Sequence, residues 1–484
     1  PWQEQLIELG LASESPMTQQ FIHLVNEILG FPRHLSQHVG GFIIANGPLY
    51  ELVPVENAAM EERTVIQWDK DDIHTLGLLK IDVLALGMLS AIKKAFSLIT
   101  KHYDHHYSIS DITKLQDDKQ VYAQIQAADT IGVFQIESRA QMSMLPRLKP
   151  RCYYDLVIQI AIVRPGPIQG EMVHPYLKRR DGIETVSYPS NEVKSVLERT
   201  LGVPIFQEQV IKLAMVAAGF SGGEADQLRR AMAKWQRSGQ LNQFKGRLIN
   251  GMLERGYNED FAQRIFKQIC GFGEYGFPES HSASFAVLAY VSAWLKHYYP
   301  AAFYCSLLNS HPMGFYSPSQ LIQDAKRHQI NVLGVNINHS LVDHHLVEEK
   351  QGELALQIGL RLIRGLSKTA MEILIAKRPT QGYQQLSQIK ALSFHYNGLN
   401  RKDLEALASS GALSPFGDNR YTLRWLMMDT IDELPLYRTG QLSDNQHHRP
   451  YLTAPSAEAD LIEDYHALGF SLNNHPVTLL RHAG

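Results

Sequence analysis

The chain contains little cysteine and no long apolar run. Its 484 residues include only three cysteines, at positions 152, 270 and 305, and none stands in a Cys-x-x-Cys pair. This scarcity excludes a disulfide framework, argues against a structural zinc site and fits a reducing, cytoplasmic setting. A membrane-spanning helix requires a run of about 20 apolar residues, and no apolar run in the sequence is close to that length.

Charge is nearly balanced over the whole chain but not along it. The formal net charge is −3, which excludes a uniformly basic nucleic-acid-binding protein. Residues 139–296 nevertheless hold 21 Lys and Arg against 14 Asp and Glu, a net of +7, so the remainder carries −10. A basic middle between acidic flanks predicts one surface that faces a polyanion.

Two charges interrupt an apolar, strand-like pattern at Gly77–Leu86. Lys80 and Asp82 are two residues apart, so a β-strand projects both from one face while the apolar residues point to a core. Charges on a buried strand are costly unless they are paired, hydrated or bound to a ligand. Asp82 is therefore a candidate metal ligand and Lys80 a candidate anion contact. A structural ion pair on an edge strand is the alternative.

A capped helix carries a row of cations. The four residues from Ser221 fit a capping box. The helix that follows places Arg230, Lys234 and Arg237 on one face, with Arg229 beside them. Such a face suits polyphosphate or a nucleic-acid backbone. The alternative is an ordinary solvated helix face.

Two further loops are candidate anion sites. Arg164 follows an apolar run and precedes the rigid Pro165–Pro167 turn, so its guanidinium is positioned to clamp a phosphate. Farther along, Ser280 or Ser282 can cap an apolar helix whose free amide groups, together with His281, would form an anion site. A turn arginine without a ligand and a capped core helix are the alternatives.

Glycine turns between short helices recur near the carboxyl-terminal end of the chain. Arg364, Gly365 and Lys368 lie in one such turn, and Leu399–Gly411 looks like a second copy. Units of this kind can present backbone amides to DNA phosphates, which makes these residues candidate DNA contacts. They also serve as plain packing units.

Histidine is abundant, with 21 residues. Groups stand at 102–106, 344–345 and 447–448, but none has a cysteine or carboxylate companion at a convincing metal-ligand spacing. We therefore expect these histidines to be solvated in loops.

Helical patterns dominate the chain. The segments are helical at 1–35, sheet-like with loops at 36–86, mostly helical at about 88–345 and built of shorter helices at 346–430. A polar linker is expected at 436–460, followed by the start of a further element. These patterns predict a multidomain, mostly α fold with a small mixed α/β portion.

Eight short strings occur along the chain in one order. They are Ser36–Gly41, Gln67–Lys70, Leu79–Leu84, Gly132–Ser138, Arg164–Pro167, Phe206–Gln209, Leu228–Met232 and Gly276–Ser282. This order resembles the alpha subunit of bacterial DNA polymerase III, and the resemblance covers nearly the whole chain, from about residue 30 onward. Eight ordered strings are far more specific than any one of them.

The resemblance implies template-directed DNA synthesis by two-metal nucleotidyl transfer, with Mg²⁺ as cofactor and primer–template DNA and deoxynucleoside triphosphates as partners. Asp82 matches the third of three metal-binding aspartates, and Lys80 matches a neighbouring lysine near the phosphates. The segments that contain Arg164, Arg229, Arg230 and Ser280–Ser282 match segments that, in the family, face the triphosphate of the incoming nucleotide.

The resemblance also implies a domain order. The expected parts are the end of a thumb (1–37), the carboxy-terminal part of a polymerase-beta-like palm (38–87), fingers (88–345), a tandem helix-hairpin-helix region (346–435), a linker (436–460) and the start of a following domain (461–484). The family's other two aspartates lie in an upstream Pro-Asp-x-Asp-x-Asp-like strand, which has no counterpart here, and the amino-terminal phosphoesterase-like domain is absent too. We therefore expect a fragment that cannot polymerise by itself.

Two segments indicate a subtype. Ala233–Gly239 and Phe277–His281 look like the error-prone, damage-inducible branch, because replicative members tend to carry extra lysines and an Asn-Lys pair at these places. Gln441–Asn445 starts like a sliding-clamp-binding peptide but lacks the terminal apolar pair that fills a hydrophobic pocket. We therefore expect an accessory translesion protein to supply clamp binding.

For the function of the whole protein, the alternatives to an error-prone polymerase are a replicative alpha subunit and a non-catalytic DNA-binding scaffold.

Overall fold

The protein is described here by a computed structural model. The described residues are 15–31, 40–58, 62–68, 70–114, 117–163, 169–233, 241–275, 277–349, 352–394, 398–417, 419–428 and 452–482. Helices prevail over short strands, which confirms the expected mostly α fold with a small mixed portion. Within the described ranges, no helix is both long and apolar enough to cross a membrane. The chain divides into two compact units, Pro1–Leu86 and Gly87–Gly484.

In its described residues, the first unit combines short strands with two α-helices. Its elements are α1 (Pro16–Ile28), β1 (Gly41–Ile44), β2 (Val55–Asn57), β3 (Thr64–Ile66), α2 (Lys70–Thr75) and β4 (Leu79–Asp82). β1 pairs antiparallel with β4, so that Gly41 lies opposite Asp82, and β2 pairs antiparallel with β3. The strand predicted around Asp82 is thus present.

The prediction that this strand is largely buried is wrong. The Leu79 residue is 56% exposed, and Phe42 on the facing strand is 49% exposed. The physical reason is that β1 and β4 form a two-stranded sheet, and a pair of strands cannot enclose a core without another layer against it.

The second unit is built mainly of helices. They are α3 (Leu86–Tyr103), α4 (Ile109–Lys114), α5 (Lys119–Gln126), α6 (Arg139–Leu148), α7 (Tyr153–Ile162), α8 (Gln169–Arg180), α9 (Asn191–Leu197), α10 (Gln207–Ala218), α11 (Gly222–Ala233), α12 (Leu241–Glu254), α13 (Glu259–Tyr275), α14 (Glu279–Tyr298), α15 (Pro300–Leu308) and α16 (Pro318–Arg327). After them come β5 (Val332–Leu333), β6 (His345–Glu348), β7 (Leu354–Gln357), α17 (Lys368–Ala376), α18 (Leu386–Lys390), α19 (Arg401–Ser409), α20 (Arg420–Met428), α21 (Ala457–Ala467) and α22 (Pro476–His482).

The helix α14 lies at the centre of the helical part of this unit. It packs chiefly against α7 and also against α4, α5 and α15. Both central helices are apolar on most sides, and α7 is buried from Asp155 to Ile162. Helices that are apolar all round are stable only when other elements surround them. The core therefore forms where these two helices meet.

A buried ion cluster ties α14 to its neighbours. Lys296 is fully buried, and its Nζ lies 2.7 Å from Asp129 Oδ1 and 2.8 Å from Asp324 Oδ2. Tyr304 donates its hydroxyl proton to Asp324 at 2.6 Å, and His328 Nε2 lies 2.7 Å from Asp129. Although burial opposes ionisation, hydrogen bonds from His328 and Lys296 lower the pKa of Asp129 to about 2. The cluster thus favours the ionised form of Asp129, which faces the buried ammonium group.

The strands β5, β7 and β6 form a small sheet in that order, with β5 parallel and β6 antiparallel to β7. His344 directly precedes β6 and is buried rather than solvated, so the expectation for it is wrong. Its Nδ1 accepts a hydrogen bond from the Gly359 amide at 3.0 Å. Burial lowers the pKa of His344 to about 3, which keeps the ring neutral. His447 and His448 lie outside the described residues.

We expect Lys296→Met to destabilise the second unit by about 3–5 kcal/mol, because the change leaves the buried carboxylate of Asp324 and the partly exposed carboxylate of Asp129 without their cation. Urea denaturation followed by circular dichroism measures this loss. Lys101→Met, at an exposed position of α3, is the matched control and should change the free energy of unfolding by less than about 0.5 kcal/mol. Equal stability of the two variants would contradict a central role for the buried cluster.

Candidate functional site

Lys80 and Asp82 lie on the same face of β4 and form an ion pair. Lys80 Nζ lies 2.8 Å from Asp82 Oδ1 and 3.0 Å from Oδ2. The side chains are 26% and 41% exposed. Partly exposed pairs of this kind contribute only about 0–1 kcal/mol to stability. The pair therefore adds little to the fold, and its carboxylate remains accessible from solvent.

Asp82 alone does not make a magnesium site. Mg²⁺ prefers near-octahedral coordination by several oxygens. Within the part of the chain that the structure describes, the group of three side chains that could hold a metal is Asp129, Asp324 and His328, and it does not include Asp82. In that group the Lys296 ammonium already lies between the two carboxylates. Neither place fits a complete metal site made of described residues.

The start of α14 differs from the prediction. The helix begins at Glu279 after Pro278, and neither Ser280 nor Ser282 caps it. Instead, the carboxylate of Glu208, on α10, accepts a hydrogen bond from the Glu279 amide at 2.9 Å. A carboxylate near a helix amino terminus is electrostatically favoured. Glu208 therefore accepts the hydrogen bond from an amide that we expected to bind an anionic ligand.

Two helices, α10 and α7, hold the segment 277–283 through three hydrogen bonds. The Phe277 carbonyl accepts from the Gln207 amide at 3.2 Å. Tyr153, on α7, donates to the Ala283 carbonyl at 2.6 Å. Ser282 is fully buried and donates to the Val157 carbonyl at 2.5 Å. The segment is thus fixed on the side that faces the core. We expected the Ser282 hydroxyl to face an anion, but it binds the backbone instead.

The other side of the same segment carries a stacked arginine. Tyr154 donates its hydroxyl proton to Glu279 Oε1 at 2.8 Å, and Arg199 Nη1 lies 3.6 Å from that oxygen. The Arg199 guanidinium lies over the Tyr154 ring, 3.8 Å from its centroid. Sequence reasoning missed both residues, because they are 45 positions apart and neither stands in a motif.

His281 and Ser280 remain at the surface of this segment. Ser280 is exposed, and His281 is half-buried. The His281 ring lies 5.3 Å from the Phe277 ring and 4.3 Å from the Phe285 ring, measured between centroids. The two phenyl rings hold the imidazole in place, so its position is defined by packing.

The capping box at the start of α11 is confirmed. The Ser221 amide donates to Glu224 Oε2 at 2.8 Å, and the Glu224 amide donates to Ser221 Oγ at 3.4 Å. The backbone of Arg229 and Arg230 is helical as predicted. Their side chains, and all of Arg164, Lys234 and Arg237, lie outside the described parts of the chain. Their roles stay predictions.

The two glycine turns near the carboxyl-terminal end are present. Gly365 and Gly411 have φ values of +86° and +77°, which glycine adopts without strain. Ser367 caps α17, and its amide donates to Asp403 on α19 at 2.9 Å, which joins the two helical units. Lys368 is exposed at the start of α17. These turns lie where the sequence analysis expected them.

Arg364 has a different partner from the one we expected. Its guanidinium donates to the carbonyl oxygens of Tyr465 and His466 at 3.0 and 3.5 Å, and its amide donates to the Ala467 carbonyl at 2.9 Å. These carbonyls belong to the last turn of α21. A cation there satisfies groups that a helix end leaves unpaired. The guanidinium is therefore engaged within the protein, and its contact with DNA stays a prediction.

Two arginines of α20 also bind α21. Arg420 pairs with Asp464 at 2.5 Å, and Arg424 pairs with Glu463 at 2.5 Å. The helix α21 starts at Ala457, inside the stretch that we predicted to be a linker. The acidic face of α21 is what binds this part of the chain to the glycine-turn helices.

Family comparisons match three consecutive parts of the chain. The family described as "Bacterial DNA polymerase III alpha NTPase domain" matches residues 2–85, and "Bacterial DNA polymerase III alpha subunit finger domain" matches residues 88–256. A "Helix-hairpin-helix motif" matches residues 329–423. Together with the helical second unit and its glycine turns, these matches define a bacterial DNA polymerase III alpha subunit, and the chain belongs to that family.

Within that family, the chain is similar to proteins named "Error-prone DNA polymerase". Identity is 64% with the protein of Vibrio parahaemolyticus and 66% with that of Vibrio vulnificus, each over 100% of this chain. It is 54% with the protein of Idiomarina loihiensis, over 99% of this chain. The chain spans about half, 46%, of the length of these relatives. The ordered strings thus identified the family correctly.

We expect Arg364→Ala to loosen the end of α21, because it removes charge-assisted hydrogen bonds to the last turn. Amide hydrogen exchange in residues 457–467 should become about fivefold to tenfold faster. Lys368→Ala, at the exposed start of α17, should leave that exchange unchanged and serves as the control. If both variants exchanged at the parent rate, the contacts of Arg364 would have no role in holding α21.

Proposed function

We propose that the full-length protein containing this chain is a DNA-directed DNA polymerase that transfers nucleotides from deoxynucleoside triphosphates to a primer end. The observation that carries this proposal is the partly exposed Lys80–Asp82 pair on β4, within a chain whose matched domains belong to DNA polymerase III alpha subunits. The helix-hairpin-helix match supports primer–template DNA as a partner.

The proposed role of Asp82 is to supply one carboxylate ligand for Mg²⁺. When bound, the metal would act as a Lewis acid on the reacting phosphate oxygens. The Asp82 side chain is partly exposed to solvent, and the Lys80 ammonium group lies beside its carboxylate. The described residues contribute one such ligand, so a complete site needs further carboxylates. Lys80 would hold the anionic triphosphate close to that carboxylate through its ammonium group.

The proposed nucleotide-facing surface of the second unit includes Ser280 and His281. Both lie on the segment that α7 and α10 fix in place, and fixed groups bind without a large ordering cost. Arg229 and Arg230 on α11 are proposed to contribute further positive charge, as are Arg164 and Lys234. The DNA-binding surface is proposed to include Arg237, Gly365 and Lys368.

The proposed working role is error-prone synthesis past DNA damage in the bacterial cytoplasm. The similarity to error-prone DNA polymerases over the whole chain supports this role. A replicative role is less favoured, because none of the relatives described above carries that name. A scaffold without catalytic activity would require Asp82 to lack metal partners in the full-length protein.

We expect Asp82→Asn in the full-length protein to reduce Mg²⁺-dependent primer extension by at least about 100-fold, because the amide removes a charged ligand while it keeps the shape. Single-turnover extension assays measure the rate, and fluorescence anisotropy should give an unchanged affinity for primer–template DNA. Glu51→Gln, an exposed acid in the same unit, is the control and should extend normally. Extension by the Asp82 variant at the parent rate would refute the proposed role.

We further propose that an accessory translesion protein supplies binding to the sliding clamp. Residues 436–450, which lie outside the described part of the chain, contain the string Gln441–Asn445 without the apolar pair that fills a hydrophobic pocket. A peptide of residues 436–450 should therefore show no measurable heat of binding to the clamp in titration calorimetry. The same peptide with two apolar residues at 444 and 445 is the positive control. Tight binding of the natural peptide would contradict this proposal.

A further inference from the structure

We propose that the exposed cations of α6 and of the turn that follows it bind the phosphates of a single nucleic-acid strand. These residues are Arg139, Arg147, Lys149 and Arg151, and together they are called the α6 edge. The choice of nucleic acid as the partner rests on the proposed polymerase function. The surface itself rests on charge, exposure and backbone contacts.

The α6 edge contains no negative charge. From Ser138 to Tyr154 the sequence has four basic residues and no Asp or Glu. All four basic residues are exposed, and so is Ser143 between them on α6. Within the described ranges, no acidic side chain pairs with any of the four. An uncompensated cationic strip of this kind attracts a polyanion.

Neighbouring cations on α8 are used differently. Arg180 forms two hydrogen bonds to Asp155, both at 2.7 Å. Arg179 pairs with Glu184 at 2.9 Å. These two arginines are largely covered and have structural partners, whereas the cations of the α6 edge are exposed. The contrast separates side chains that support the fold from side chains that are open to a ligand.

Hydrogen bonds from neighbouring side chains fix the backbone of the turn at residues 149–151. The Lys149 carbonyl accepts from Arg180 at 3.0 Å, the Arg151 amide donates to Asp155 at 2.8 Å, and the Pro150 carbonyl accepts from Gln126 at 2.7 Å. Because the backbone polar groups are satisfied inward, the charged side chains are free to extend into solvent. A rigid support lowers the entropy that is lost when a ligand binds.

Lys149 itself has an unfavourable backbone conformation. Its φ of +51° lies in the left-handed region, which costs a residue with a side chain about 1–2 kcal/mol and favours glycine. Conformational preference alone would favour glycine here, and the lysine places a positive charge at the end of α6. Strained residues of this kind cluster at ligand sites.

An exposed aromatic ring adjoins the α6 edge. Tyr153 is 39% exposed, and its hydroxyl is fixed by donation to the Ala283 carbonyl at 2.6 Å. Basic side chains next to a fixed aromatic ring suit single strands, because the bases can stack while the phosphates contact the cations. This feature favours a single strand over an acidic protein. It also connects the α6 edge to the segment 277–283.

The test uses the full-length protein with the triple substitution R147Q/K149Q/R151Q. Binding of a labelled single-stranded oligonucleotide is followed by fluorescence anisotropy over a range of salt concentrations. Loss of three phosphate contacts should reduce the slope of log affinity against log salt by about 2 and weaken binding about tenfold to 100-fold near 0.1 M salt. The control is K101Q/K114Q/K194Q, which removes three exposed lysines of other helices and should leave the slope unchanged.

The outcomes are distinct. A smaller slope in the α6 variant alone, with an unchanged melting temperature, supports the proposal. An unchanged slope, or an equal change in the control, overturns it. A lower melting temperature with an unchanged slope also overturns it and assigns the cations to stabilisation of the α6 terminus. If the parent protein failed to extend primers, the proposed polymerase function would be refuted. The salt dependence of oligonucleotide binding would still test whether the α6 edge binds a nucleic-acid strand.

Discussion

The arrangement of the second unit depends on one buried ammonium group. Lys296 is inaccessible to solvent and lies between Asp129 and Asp324, and it also donates to the Ile131 carbonyl at 3.1 Å. These contacts connect α14 to the loop before α6 and to α16. A buried charge requires its partners at short range, so the elements cannot shift independently of α14. Because α14 also starts at the segment 277–283, one helix connects the ion cluster to that segment.

The start of α14 shows how the protein treats an exposed helix terminus. Glu208 accepts from the first amide of the helix, and Glu279 binds both Tyr154 and Arg199. Two carboxylates at this end make it a poor place for a free phosphate, while Ser280 and His281 remain accessible beside it. The helix terminus itself therefore offers little to an anion.

The carboxyl-terminal helices follow a similar principle. Arg364, Arg420 and Arg424 all lie among the glycine-turn helices, and all three bind α21. Arginine is suited to such positions because its planar guanidinium reaches several oxygens at once. Lys368, by contrast, lies exposed at the start of α17. The basic residues of the chain thus fall into those that join helices and those, such as the α6 edge, that face solvent.

The sequence by itself determined the family, the mostly helical fold, the strand around Asp82, the capping box at Ser221 and the glycine turn at Gly365. Each depends on residue types at short spacing, which local physical chemistry controls. Only the tertiary structure decided that β4 is partly exposed, that His344 is buried and neutral, that Ser282 points to Val157 and that Arg364 binds α21. These outcomes depend on partners from 15 to 125 positions away. A sequence pattern specifies which groups a residue can bind, but folding selects which of them it meets.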